Sequence, residues 1–219
     1  MPSPRLCFTS KLRSLHRRFR RGRTAVGWGE TLRSLNASAL LPLVFIVGIV
    51  CSPLGRAQPK HAKEYDVKAL FILNFAEFAQ WPPTAFASPT SPLRVATLGA
   101  DPFHGALTAA FRHESVMHRA VEIVHATRVE EARDCQVVFV TGSERGNTEA
   151  IVAALRGRPI LTIGDTPDFA RRGGMIGFYL DGQKVRFEIN RAAARASGLK
   201  LGSQLLRLAR LVGEDSFKN

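Results

Sequence analysis

From Leu93 onward, short apolar runs alternate with segments of helical spacing, and no other feature of the chain restricts its fold as much. The runs at 94–98, 120–125, 136–140 and 159–163 have strand length. Segments 102–112, 128–133 and 148–156 between them have the spacing of short helices. A strand that returns to its sheet through a helix lies parallel to the one before it, so the alternation predicts parallel strands with crossovers. Two strand exits look alike. Leu98-Gly99-Ala100-Asp101-Pro102-Phe103 is echoed by Ile163-Gly164-Asp165-Thr166-Pro167-Asp168-Phe169, and each offers a turn glycine, a capping side chain and a helix-opening proline.

The remaining elements follow from local chemistry. Residues 62–81 form a helix whose buried face carries Val67, Phe71, Asn74, Phe78 and Trp81, thickened by Leu70, Leu73 and Ala76, and Pro82-Pro83 stops it. Stretches 173–180 and 183–190 flank Asp181-Gly182, a two-residue hairpin signal that pairs Phe178 with Val185 and Ile176 with Phe187. Asn190 caps a helix over 191–197 that Gly198 ends, and Ser203 opens a final amphipathic helix with Arg207 and Arg210 outward. The expected fold is a single α/β domain. Its mixed, mostly parallel sheet has flanking helices and ends in a C-terminal β-hairpin plus helices.

Charge divides the chain in two. The formal charge is +13, but residues 1–57 hold ten Lys and Arg against one acid, Glu30, while residues 58–219 hold 21 basic and 17 acidic side chains with no basic run longer than Arg171-Arg172. Nucleic-acid binding by the domain is therefore not expected. The 13-residue uncharged run at 39–51 suits a signal peptide and is shorter than a membrane span, and Gly55-Arg56-Ala57 places small residues before a cut at Gln58. We expect a basic leader with signal peptide at 1–57, cleavage near Ala57/Gln58, and a periplasmic domain at 58–219.

Candidate chemistry is sparse. His113 and His118 are five residues apart and point away from each other on a helix, so no zincin site forms; no metal site and no cofactor is expected. Asp101, His104, Ser143 and Asp165 follow strand ends, where open α/β sheets bind ligands, and are the candidate pocket. The competing reading makes the two aspartates helix caps. No nucleophile, base and orienter stand at recognisable spacing, so an enzyme is not expected. Asn74, polar on an apolar face, either satisfies a loop carbonyl or marks a contact with a partner or ligand. Cys135 is the single cysteine of 58–219, so no intrachain disulfide forms there.

Several motifs meet in one resemblance. Val67-Lys68-Ala69-Leu70-Phe71-Ile72-Leu73-Asn74-Phe75 running to Phe78 and Trp81-Pro82, and Cys135 ahead of Val137-Val138-Phe139, resemble the YfiR-like periplasmic family. So do Phe169-Ala170-Arg171-Arg172-Gly173-Gly174-Met175-Ile176 and Val185-Arg186-Phe187-Glu188-Ile189-Asn190. In that signature Gly173, Gly174, Arg186, Phe187 and Asn190 have a structural part. The resemblance implies a non-enzymatic periplasmic regulator, a homodimer, that represses a membrane-anchored diguanylate cyclase by binding its periplasmic region and so lowers cyclic-di-GMP. The first helix and the last, with Asn74, Trp81, Arg207 and Arg210, are then the candidate partner surface. The alternative is a small-ligand-binding module feeding a sensor kinase or transport receptor. A cryptic hydrolase is a third possibility.

Overall fold

The computed structural model describes residues 60–213. The leader, the apolar run at 39–51 and the cut before Gln58 lie outside the described residues. Helix α1 (Lys60–Phe78) leads into a short strand β1 (Ala79–Gln80). There follow β2 (Leu93–Leu98), α2 (Ala106–Phe111), β3 (Val121–Ala126), β4 (Val137–Val140), α3 (Thr148–Leu155) and β5 (Leu161–Gly164). The last third holds β6 (Ile176–Asp181), β7 (Lys184–Asn190), α4 (Arg191–Ala196), β8 (Lys200–Leu201), α5 (Ser203–Leu208) and β9 (Arg210–Val212).

Seven strands make one sheet in the order β3-β2-β4-β5-β6-β7-β9. Strands β3, β2, β4, β5 and β6 are parallel, β7 is antiparallel to β6, and β9 runs parallel to β7. The mixed, mostly parallel sheet expected from the alternation is the one observed. β1 pairs with β8 in a separate two-stranded clasp that ties the end of α1 to the C-terminal region.

The strands bury both faces, as crossover topology requires. On one face Leu93, Val95, Val137, Phe139, Ile163 and Phe178 meet α1 and α2. On the other, Ala96, Leu98, Val138 and Val140 meet Ile151, Val152 and Leu155 of α3, with Cys135 and Phe169.

Four expectations need correction. The buried face of α1 is Tyr65, Lys68, Ala69, Ile72, Phe75 and Ala76 with the expected Leu73, whereas Val67 and Leu70 are exposed. Apolar residues occupy nearly every position of this stretch, so periodicity alone could not select the face. Trp81 lies beyond the helix, after β1. The hairpin pairs Phe178 with Phe187 and Ile176 with Ile189, because Gly182-Gln183, not Asp181-Gly182, is the loop. Gly182 takes φ +60° at the first loop position, the place a type II′ turn reserves for glycine. The slip moves each partner by two residues, so the buried faces are unchanged. Finally, the last helix ends at Leu208. Arg210–Val212 forms the edge strand β9, and Leu208, which an amphipathic helix with Arg207 outward would turn inward, is exposed.

Candidate functional site

The direction of winding reverses between β2 and β4, where an open α/β sheet has its crevice at the carboxyl ends of the strands. Here the protein fills that crevice itself. Gly99 turns the chain at φ +100°, and a Cβ there would stand 2.5 Å from both Ser143 Oγ and Thr141 Oγ1. Ser143 Oγ accepts from the Ala100 N–H at 3.0 Å and shares a hydrogen bond with Thr141 Oγ1 at 2.8 Å, stitching the two exit loops together.

The four pocket candidates do not converge on one point. Asp101 Oδ1 accepts the Phe103 N–H at 2.9 Å, which makes an Asx turn rather than a helix cap, since α2 begins only after Gly105. His104 is exposed at φ +49°. Asp165 does not cap a helix either, because a turn rather than a helix follows β5. Its carboxylate reaches across to α1. Oδ2 accepts from Tyr65 Oη at 2.7 Å and from Lys68 Nζ at 2.8 Å.

This cluster is the most concentrated polar arrangement at the carboxyl edge. Lys68 follows Tyr65 by three positions and Glu64 by four, the spacings at which helical side chains meet, and its Nζ lies within 2.7 Å of Glu64 as well. The Lys68 and Asp165 side chains are only 5% and 6% exposed. Charges buried to that degree persist only when paired, so neither partner can lose the other cheaply. Burial, and then the adjacent Asp165 carboxylate, push the Tyr65 phenol well above its ordinary value, so it stays protonated and donates. Asp165 Oδ1 is buried with no hydrogen-bond partner, close to Gly142, where an added Cβ would stand 3.7 Å away. The cluster pins the first turns of α1 to the end of β5. Asp165 was among the expected site residues; Tyr65 and Lys68 were not, although Lys68 stands out in the sequence inside an otherwise apolar run.

The candidate partner residues are scattered. Asn74 Nδ2 donates to the Leu70 carbonyl of its own helix at 2.8 Å, not to a loop. Trp81 is buried and donates to the Gln136 carbonyl at 3.3 Å. Arg207 is exposed on α5. Arg210, on β9, bonds the buried Glu188 carboxylate and lies 4.4 Å from the Tyr179 ring centroid. Arg171 stands 3.6 Å from the same carboxylate.

The glycine-rich signature is a slot for one ring. Phe169 is fully buried, and a Cβ on Gly174 would lie 2.2 Å from one edge of its ring and one on Gly164 2.6 Å from the other. Asn190 holds the segment in place: Nδ2 donates to the Ala170 carbonyl at 2.9 Å while Oδ1 accepts from the Ala193 N–H at 3.0 Å, capping α4 as expected. Phe187 packs 4.8 Å from Phe75 and 5.5 Å from Phe71, which fixes the hairpin under α1. Arg186, about half exposed, reaches Asp181 at 3.8 Å.

No group of three or more metal-ligating side chains occurs among the described residues, and no described helix is long and apolar enough to cross a membrane. An open α/β sheet whose crevice is closed by its own side chains defines a class of compact α/β modules. Within that class the chain belongs to the YfiR/HmsC-like family, whose model matches residues 65–210, from the first buried turn of α1 to the start of β9. At the family level these are periplasmic regulators of diguanylate cyclase signalling. No curated protein matches the chain significantly.

Proposed function

We propose that this chain is exported, loses residues 1–57, and acts as a homodimer that holds a membrane-anchored diguanylate cyclase off by binding its periplasmic region. The family match over nearly all of the described domain carries this reading. Two exposed apolar regions support it as an interaction protein: Val67 and Leu70 on α1, and Leu208 and Leu211 around the start of β9. A regulator of this kind works by population shift, favouring the inactive enzyme only through tighter binding to that conformation. A hundredfold bias needs about 2.7 kcal/mol of differential affinity, which a small interface supplies. The regulator itself carries no chemistry in this scheme. Crosslinking in intact cells followed by mass spectrometry tests it. The expected product joins α1 or α5 to the periplasmic region of a protein that also carries a diguanylate cyclase domain. Crosslinks confined to soluble periplasmic proteins would refute the proposal.

A further inference from the structure

At the opposite end of the sheet, the amino ends of β2, β4 and β5 surround a cavity of about 580 Å³. Three arginines line it: Arg94 near the start of β2, Arg133 in the segment ahead of β4 and Arg158 in the segment ahead of β5. Like charges gathered so closely repel unless something between them answers the charge.

The fold answers it only in part. Glu122 lies 3.3 Å from Arg94 Nε but off the N–H axis, for that Nε makes no hydrogen bond. Arg133 reaches Glu130 only at 3.7 Å, and its Nε is likewise buried without an acceptor. Arg158 is exposed and has no ion pair among the described residues. Glu122 and Asp134 also line the cavity, leaving one positive charge in excess. The floor is stiff. Gln136 Oε1 accepts the Arg94 N–H at 2.9 Å and its Nε2 donates to the Ala85 carbonyl at 2.8 Å, so that side chain cannot swing in to satisfy the arginines.

We infer that this cavity binds a small anion bearing carboxylate or phosphate groups, held by Arg94, Arg133 and Arg158. A guanidinium presents a planar fork that fits both oxyanions, and the cavity lining carries three of them. The volume falls within the roughly 300–1,000 Å³ of small-molecule sites. Because the cavity sits at the end of the sheet opposite the Lys68–Asp165 cluster, ligand binding here is independent of the cyclase reading.

The test is calorimetric titration of the protein, purified as the cell processes it, with inorganic phosphate and with citrate at fixed ionic strength in chloride. At least one of the two should bind with Kd below about 1 mM. The affinity should fall about tenfold or more in Arg158→Gln and in Arg133→Gln and stay unchanged in Arg207→Gln, a distant control of equal charge. Phosphate alone binding identifies phosphate groups as the recognised chemistry; citrate alone identifies carboxylates. Arg158→Gln removes an exposed loop side chain, so its melting temperature should match the parent and its loss of binding reads the site alone. Absence of heat with both probes up to about 10 mM overturns the inference, as does equal weakening by Arg207→Gln.

Discussion

Replacing Lys68 by Met isolates the electrostatic half of the cluster beneath α1. The unbranched Met side chain keeps most of the lysine stem's volume, so packing on the Phe178 side is little changed. What disappears is the only cation among the described residues within hydrogen-bond distance of Asp165, at 2.8 Å, and a partner of Glu64 at 2.7 Å. The Asp165 carboxylate, 6% exposed and with Oδ1 already lacking a partner, would then keep Tyr65 as its one side-chain donor among the described residues. Removing one member of a pair buried to this extent costs about 3–5 kcal/mol. With a urea slope of about 2 kcal/mol/M, the midpoint should fall by roughly 1.5–2.5 M. The Arg172–Glu149 pair, at 3.1 Å but with side chains 31% and 74% exposed, provides the contrast. Arg172→Met should cost no more than about 1 kcal/mol. Urea melts followed by circular dichroism at neutral pH measure both variants. A loss below about 1 kcal/mol for Lys68→Met would show that the cluster does not hold α1 to the sheet.

Other substitutions test separate parts of the structure. Gly174→Ala drives a methyl into the Phe169 ring and should destabilise by about 1–3 kcal/mol in the same melts; a neutral result would mean the slot is not tight. Asn74→Leu should stay within about 0.5 kcal/mol of the parent, since among the described residues Asn74 bonds only its own helix, at Leu70; a large loss would mean a second partner. The Cys135 thiol, 1% exposed and pushed up in pKa chiefly by burial, should react with a maleimide at neutral pH only after unfolding. Fast labelling of the native protein would contradict that placement. Arg207→Glu should weaken repression and leave the melt unchanged, whereas Arg210→Glu should lower stability because it sets a carboxylate against buried Glu188. Identical behaviour of the two would remove the distinction between a surface arginine and a structural one.

Much of the fold was legible because alternation of strand-length and helix-length segments has few physical solutions. The parallel strands, the hairpin and the Asn190 cap followed from composition and turn chemistry within a few residues of each other. The site was legible only in part, for reasons that are also physical. Asp165 was placed correctly at a strand end. Its partners Tyr65 and Lys68 stand about a hundred positions earlier, on a helix so apolar that its buried side was ambiguous. The expected hairpin is off by two because Asp-Gly and Gly-Gln both satisfy a two-residue loop, and the observed register sets Phe178 opposite Phe187, both against Phe71 and Phe75 of α1. Leu-Ala-Arg-Leu-Val reads equally well as a last helical turn or as an edge strand. The open side of β7 selects the strand, since tertiary pairing overrides local propensity.

The central claim, that this YfiR/HmsC-like chain restrains a membrane cyclase from the periplasm, is tested most directly by cellular cyclic-di-GMP in a deletion strain. Deletion should raise the level. Complementation with the full chain should restore it, and complementation with a version lacking residues 1–57 should not, because that version stays in the cytoplasm. An unchanged level on deletion, or rescue by the leaderless version, would contradict the account.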